Sequence, residues 1–96
     1  MSPLKRKKLS KIRFELDKLD NSLIKLIKKR SNLVTKVLAL KDKKKQIVDQ
    51  KRIKIILKNV RKKSLKNNID PKITNRIWKN MIWSYIDFEK RNFKKK

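Results

Sequence analysis

No glycine occurs anywhere in the chain, and its two prolines, Pro3 and Pro71, leave everything between them free of both strong helix breakers. Average usage of about 7 % would supply several glycines, and tight hairpin turns and phosphate-cradling loops depend on them. β-rich folds and nucleotide-binding loops are therefore disfavoured. Ser2 followed by Pro3 can cap and start a helix. From there apolar residues recur at Leu9, Ile12, Leu16, Leu19, Leu23 and Leu26, then at Leu33, Val37 and Leu40. This alternating spacing of 3 and 4 is that of one face of a helix, broken once where Arg30 stands.

The stretch Lys41 to Gln46 holds four lysines and no apolar stripe, so the first turn is expected there. A second helix is predicted from near Asp49, with Ile53, Ile56, Leu57 and Val60 buried, dissolving at Lys66-Asn67-Asn68. Asp70-Pro71 reads as an N-cap followed by the first helical residue. The third helix then carries Ile73, Ile77, Trp78, Met81, Ile82, Tyr85 and Phe88 or Glu89 along one side, before a basic tail over 91–96. The expectation is a single all-α domain over 1–96 with one long and two shorter helices.

A chain of 96 residues buries only about 60 to 65 % of its unfolded surface, which makes a second subunit an early expectation. It has neither Cys nor His, which removes disulfides, thiolate nucleophiles, Cys/His metal sites and every imidazole base. No apolar run approaches the roughly 18 residues that span a bilayer, and the basic start lacks the apolar stretch of a signal peptide. A soluble, cytoplasmic protein is expected. Lys plus Arg number 32 against 8 Asp plus Glu, for a net charge of +24. That density suits phosphate binding by counterion release. It equally suits the coding bias of an AT-rich genome, since Lys, Ile and Asn abound while Ala occurs once.

An arginine in the apolar seam must be neutralised, because a buried unpaired guanidinium is costly. A carboxylate on a neighbouring helix or an anionic ligand would each serve. Arg30 and Lys41 are 11 residues apart, which on a continuous helix separates them by only about 20° around the axis. Arg13 lies 17 residues before Arg30, about 25 Å along such a helix, too far for both to hold one small molecule within a chain. Asp49 and Arg52 stand at i and i+3, and Glu89 lies one turn beyond Tyr85. Singly these are what caps and solvated ion pairs look like.

Together the positions resemble the all-helical chorismate mutase family. The segment from Ile12-Arg13 through Leu19-Asp20, Leu23-Ile24, Leu26-Ile27, Arg30, Leu33, Val37 and Lys41 is similar to that family's first helix. Val48-Asp49 with Arg52, Ile56 and Leu57 resembles the second, and Ile69-Asp70-Pro71 through Ile77-Trp78, Ile82 and Glu89 the third, over about residues 9–90. The resemblance implies an intertwined homodimer whose two sites each draw on both chains. It also implies rearrangement of chorismate to prephenate, for phenylalanine and tyrosine synthesis, with no cofactor, metal or covalent intermediate. By position, Arg30 and the other chain's Arg13 would clamp the substrate carboxylates, and Arg52 would add to the positive lining. Lys41 would hydrogen-bond the ether oxygen, and Asp49 would help position the hydroxyl and order the loop. Such donors act on the transition state more than on the ground state.

Three positions depart from the family's commonest pattern. Ile53 follows Arg52 where many mutases have Glu, and Tyr85 stands where many have Ser. Both features resemble the isochorismate pyruvate lyases, relatives on the same fold, which yield salicylate and pyruvate. Glu89 replaces a common Gln and can donate to an ether oxygen only when protonated, so activity is expected to fall as pH rises. A basic helical nucleic-acid-binding protein is the alternative of another class, disfavoured because Arg30 lies inside the seam. Trp78 and Met81 are expected in the core, Phe14 at a dimer contact and Asp20 in packing or an ion pair. Lys5-Arg6-Lys7-Lys8 and Lys94-Lys95-Lys96 are expected to be solvated ends.

Overall fold

The computed structural model describes residues 1–94, so Lys95 and Lys96 of the expected tail lie outside the described residues. Three helices account for most of them: α1 (Pro3–Ala39), α2 (Gln50–Lys66) and α3 (Pro71–Asn92), with a single 3-10 turn at Lys44–Gln46 and no strand among the described residues. The all-α expectation holds, with one long helix and two shorter ones. The described chain forms two compact units, Met1–Leu33 and Val34–Lys96.

The first unit is helix alone. Its entry is capped as the sequence predicts: the Lys5 amide donates to Ser2 Oγ at 3.2 Å and the Arg6 amide to the Ser2 carbonyl at 2.9 Å. A lone helix has nothing against which to bury a stripe. Ile12, Leu16, Leu19, Leu23, Leu26 and Leu33 are accordingly 52–61 % exposed. Phe14 is also exposed, with the Lys18 ammonium 4.6 Å from its ring centroid.

The second unit has a core. α2 and α3 form an antiparallel hairpin whose turn is made without glycine. Asn68 takes the left-handed conformation at φ 56°, which Asn tolerates better than most residues. The amides of Asn68 and Ile69 donate back to the Leu65 and Ser64 carbonyls at 3.2 and 2.8 Å, closing the helix end in a Schellman arrangement. Ser64 is buried, with its hydroxyl 2.6 Å from the Val60 carbonyl and 2.7 Å from Thr74 Oγ1. Asp70 then caps α3, its carboxylate accepting the Lys72 amide at 2.9 Å with Pro71 in the first turn.

The buried apolar cluster is Leu38 from the end of α1, Ile47 from the connector, and Ile82 and Ile86 from α3. Val48, Ile53, Ile56, Leu57 and Phe93 pack against it, half-buried. Two details differ from the sequence reading of α3. Ile86 was absent from the predicted stripe, yet it is 6 % exposed, while Ile73 and Ile77 are 56 and 51 % exposed. At about 100° per residue, Ile86 is some 40° around the helix from Ile82 and Ile77 some 140°. The stripe drawn from the apolar residues is thus wider than the face α2 can cover. Trp78 and Met81, expected in the core, are half-buried.

Truncating the buried face should cost accordingly. Ile86→Ala is expected to destabilise the protein by about 2–4 kcal/mol, as large-to-small core changes do, against about 0.5 kcal/mol or less for the exposed Ile77→Val. Urea denaturation followed by circular dichroism measures both, and equal losses would contradict this assignment of the core.

Candidate active site

α1 ends at Ala39, so Lys41 is carried by the connector rather than by the helix. This corrects the sequence argument that set Arg30 and Lys41 about 20° apart on one continuous helix. The Leu40 and Lys41 amides still close back onto the Val37 and Leu38 carbonyls, at 3.0 and 3.1 Å. That last tightened turn sets Lys41 three residues beyond the buried Leu38. On α3, Glu89 stands three residues beyond the buried Ile86 and is itself only 7 % exposed. The core cluster therefore lies one turn below each of these two side chains.

The two side chains form a short ion pair: Lys41 Nζ donates to Glu89 Oε2 at 2.7 Å. Their side chains are 18 and 9 % exposed. A buried carboxylate is tolerated only when paired and hydrogen-bonded, and here a single lysine does both. A second pair, Arg91 with Asp87 at 3.0 Å, lies in the open and carries little energy. Every buried side-chain nitrogen and oxygen among the described residues has a partner.

The remaining candidates distribute as follows. Asp49 is the N-cap of α2, its carboxylate accepting the Arg52 amide at 3.0 Å. Both residues are exposed, and the cap is the bond their spacing makes. Tyr85 is half-buried one turn before Glu89. Because the hairpin is antiparallel, the opening turn of α2 and the closing turns of α3 share the end of the unit where Lys41 lies. Asp49, Arg52, Tyr85, Glu89 and Lys41 thus gather at one end. Ile53 packs against the core cluster, which gives its apolar character a packing reason. Arg13 and Arg30 belong to the first unit, the former exposed and the latter half-buried.

Sequence reasoning passed over Gln46, read only as the last residue of a lysine-rich turn. Its side-chain oxygen accepts from the amides of both Asp42 and Lys43, each at 2.8 Å. The signal was weak but present: a Gln three residues after a helical turn's start is the partner position of a capping box.

A separate groove of about 430 Å³ lies toward the other end of the hairpin, lined by Leu57, Lys58, Val60, Arg61, Pro71, Lys72 and Asn75. Among the described residues no cluster of three or more His, Cys, Asp or Glu could hold a metal ion. Nor is any helix long and apolar enough to cross a membrane.

The arrangement offers a half-buried ammonium and a buried carboxylate within one hydrogen bond of each other, with Arg52 and Tyr85 toward the same end of the unit. With no Cys and no His in the chain, such a site holds no thiol and no imidazole. It can orient an anion and stabilise charge developing on an oxygen. No curated protein and no solved structure matches the chain. The family model described as chorismate mutase type II matches residues 12–90, a span that contains every site position named above, and the chain belongs to that family.

Proposed function

We propose that the protein is a chorismate mutase, converting chorismate to prephenate, and that it works as a homodimer with shared sites. The observation that carries the reading is the Lys41–Glu89 pair, 2.7 Å apart and nearly buried, within a chain of this family. The rearrangement breaks the ether carbon–oxygen bond as a carbon–carbon bond forms, and negative charge gathers on the ether oxygen. Lys41 donates to that oxygen. Its ammonium is held in place before substrate arrives, so little reorganisation remains for the chemical step. Glu89, its partner across the pair, holds that ammonium from the α3 side. Arg30, Arg52 and Arg13 of the partner subunit hold the substrate's carboxylates in the reactive conformer, where a guanidinium fork suits a carboxylate better than an ammonium does. Asp49 fixes the start of α2, so that Arg52 emerges from an ordered turn, and Tyr85 borders the substrate one turn from Glu89.

The dimer reading has its own support. A seam of six aliphatic residues on α1, each more than half exposed in one chain, is far more apolar surface than a soluble monomer ordinarily leaves in one stripe. A second copy of the same helix buries it. Arg13 and Arg30 lie about 25 Å apart along α1, so a site using both takes one from each chain.

Ile53 and Tyr85 leave the isochorismate pyruvate lyase as the competing chemistry, and Ile53 contributes less to it because the residue serves the core. Purified protein given chorismate and isochorismate in separate reactions, with products resolved by chromatography, should yield prephenate from the first. Salicylate and pyruvate from the second, with little prephenate, would assign the lyase instead. Neither product from folded protein would overturn both enzyme readings and return attention to its charge of +24 and a nucleic-acid partner.

Mixing is the test of shared sites. Arg13→Ala and Arg30→Ala chains, each expected to lose on the order of a hundredfold or more in kcat/KM, should recover activity in the heterodimer, where one site keeps both arginines. A verified heterodimer with no recovery would contradict the arrangement.

A further inference from the structure

Lys41 stands in a segment with every reason to be loose. Three consecutive lysines, Lys43, Lys44 and Lys45, follow it at exposed positions and repel one another. The two amides immediately after Lys41, those of Asp42 and Lys43, are received by one side-chain atom, Gln46 Oε1, at 2.8 Å each. Gln46 is itself fixed from two sides. Its own amide donates to the Lys43 carbonyl at 3.0 Å, and the next residue, Ile47, is 3 % exposed in the core. On the other side of Lys41, its amide is tied to the Leu38 carbonyl at 3.1 Å. The Lys41 backbone thus lies between the end of α1 and a loop closed by Gln46.

We propose that Gln46 is a positioning residue for Lys41, aiming the ammonium at Glu89 and at the reacting oxygen through the backbone it clamps. The proposal rests on the mutase reading for its kinetic consequence, but not for its structural one. Gln46 touches no reacting atom. Its amide oxygen takes the place of the two carbonyls that a continued helix would supply, and so sets the direction in which Lys41 leaves the backbone. A misplacement of about 1 Å at a reacting group costs up to about a hundredfold in rate. The long lysine side chain absorbs part of such a displacement, so a loss on the order of tenfold is expected.

Two variants separate positioning from mere packing. Gln46→Ala removes the acceptor, whereas Gln46→Glu keeps an oxygen for both amides. Gln46→Ala is expected to lower kcat on the order of tenfold with a smaller change in KM, and Gln46→Glu to restore it to within about twofold to threefold. In parallel, NMR of the substrate-free protein should show the Lys41 Nζ resonance moved, and the Asp42 and Lys43 amides exchanging faster, in Gln46→Ala but not in Gln46→Glu. Gln46 is exposed, so circular dichroism should show both variants folded. Unchanged Lys41 and amide signals in Gln46→Ala would overturn the proposal whatever the activity. So would an unaltered kcat in a parent protein that is an active mutase. A parent with no mutase activity would overturn the functional reading alone, leaving the NMR comparison to decide the role of Gln46.

Discussion

The Lys41–Glu89 ion pair is the constraint around which the second unit is organised. Both charges are largely withdrawn from water, and each is tolerable only because the other is present. Their separation of 2.7 Å demands that the end of α1, the connector and the last turns of α3 meet within narrow limits. Leu38, Ile47, Ile82 and Ile86 meet that demand, since they bind the same three segments together one turn beneath the pair. The small core and the ion pair are in this sense one structure. Truncating a side chain of the first is expected to disturb the second.

The first unit has the opposite character. It is a helix with a continuous apolar stripe and no surface in its own unit to receive it. Burial of about 25 cal/mol per Å² makes such a stripe a strong source of association energy, and the cations interrupting or flanking it would be costly there without anionic partners. The dimer proposed above, closing the seam around an anionic substrate, would reconcile the apolar residues with Arg30. It also explains why a chain too short to build a large core puts over a third of its residues into one long helix.

Much of this was legible in the sequence, for identifiable reasons. Pro3, Asp49, Asp70-Pro71 and Asn67-Asn68 are local signals whose chemistry acts within a turn, and each marks the boundary it predicts. The 3–4 spacing in α1 identifies the helix but not its end, so Lys41 was assigned to a helical face it does not occupy. Periodicity is blind to the point where a hydrogen-bond ladder stops. In α3 the stripe was drawn through Ile73 and Ile77, because hydrophobicity reports a tendency to be buried without naming the surface that buries it. Glu89 was recognised through its resemblance to a family position, while its bond to Lys41 spans 48 residues and has no local signature. Gln46 went unread because a side chain that replaces backbone carbonyls looks, in sequence, like any polar turn residue.

The proposed mechanism turns on Lys41 stabilising charge on the ether oxygen from a position fixed by its pair with Glu89. The most direct measurement is kcat/KM for prephenate formation in the parent, in Lys41→Gln and in Glu89→Gln, each shown to be folded by circular dichroism; the amide oxygen of Glu89→Gln still accepts from Lys41. Lys41→Gln is expected to lose on the order of a hundredfold or more, and Glu89→Gln much less. Parent-like activity in Lys41→Gln, or a folded Glu89→Gln that is inactive, would contradict that role.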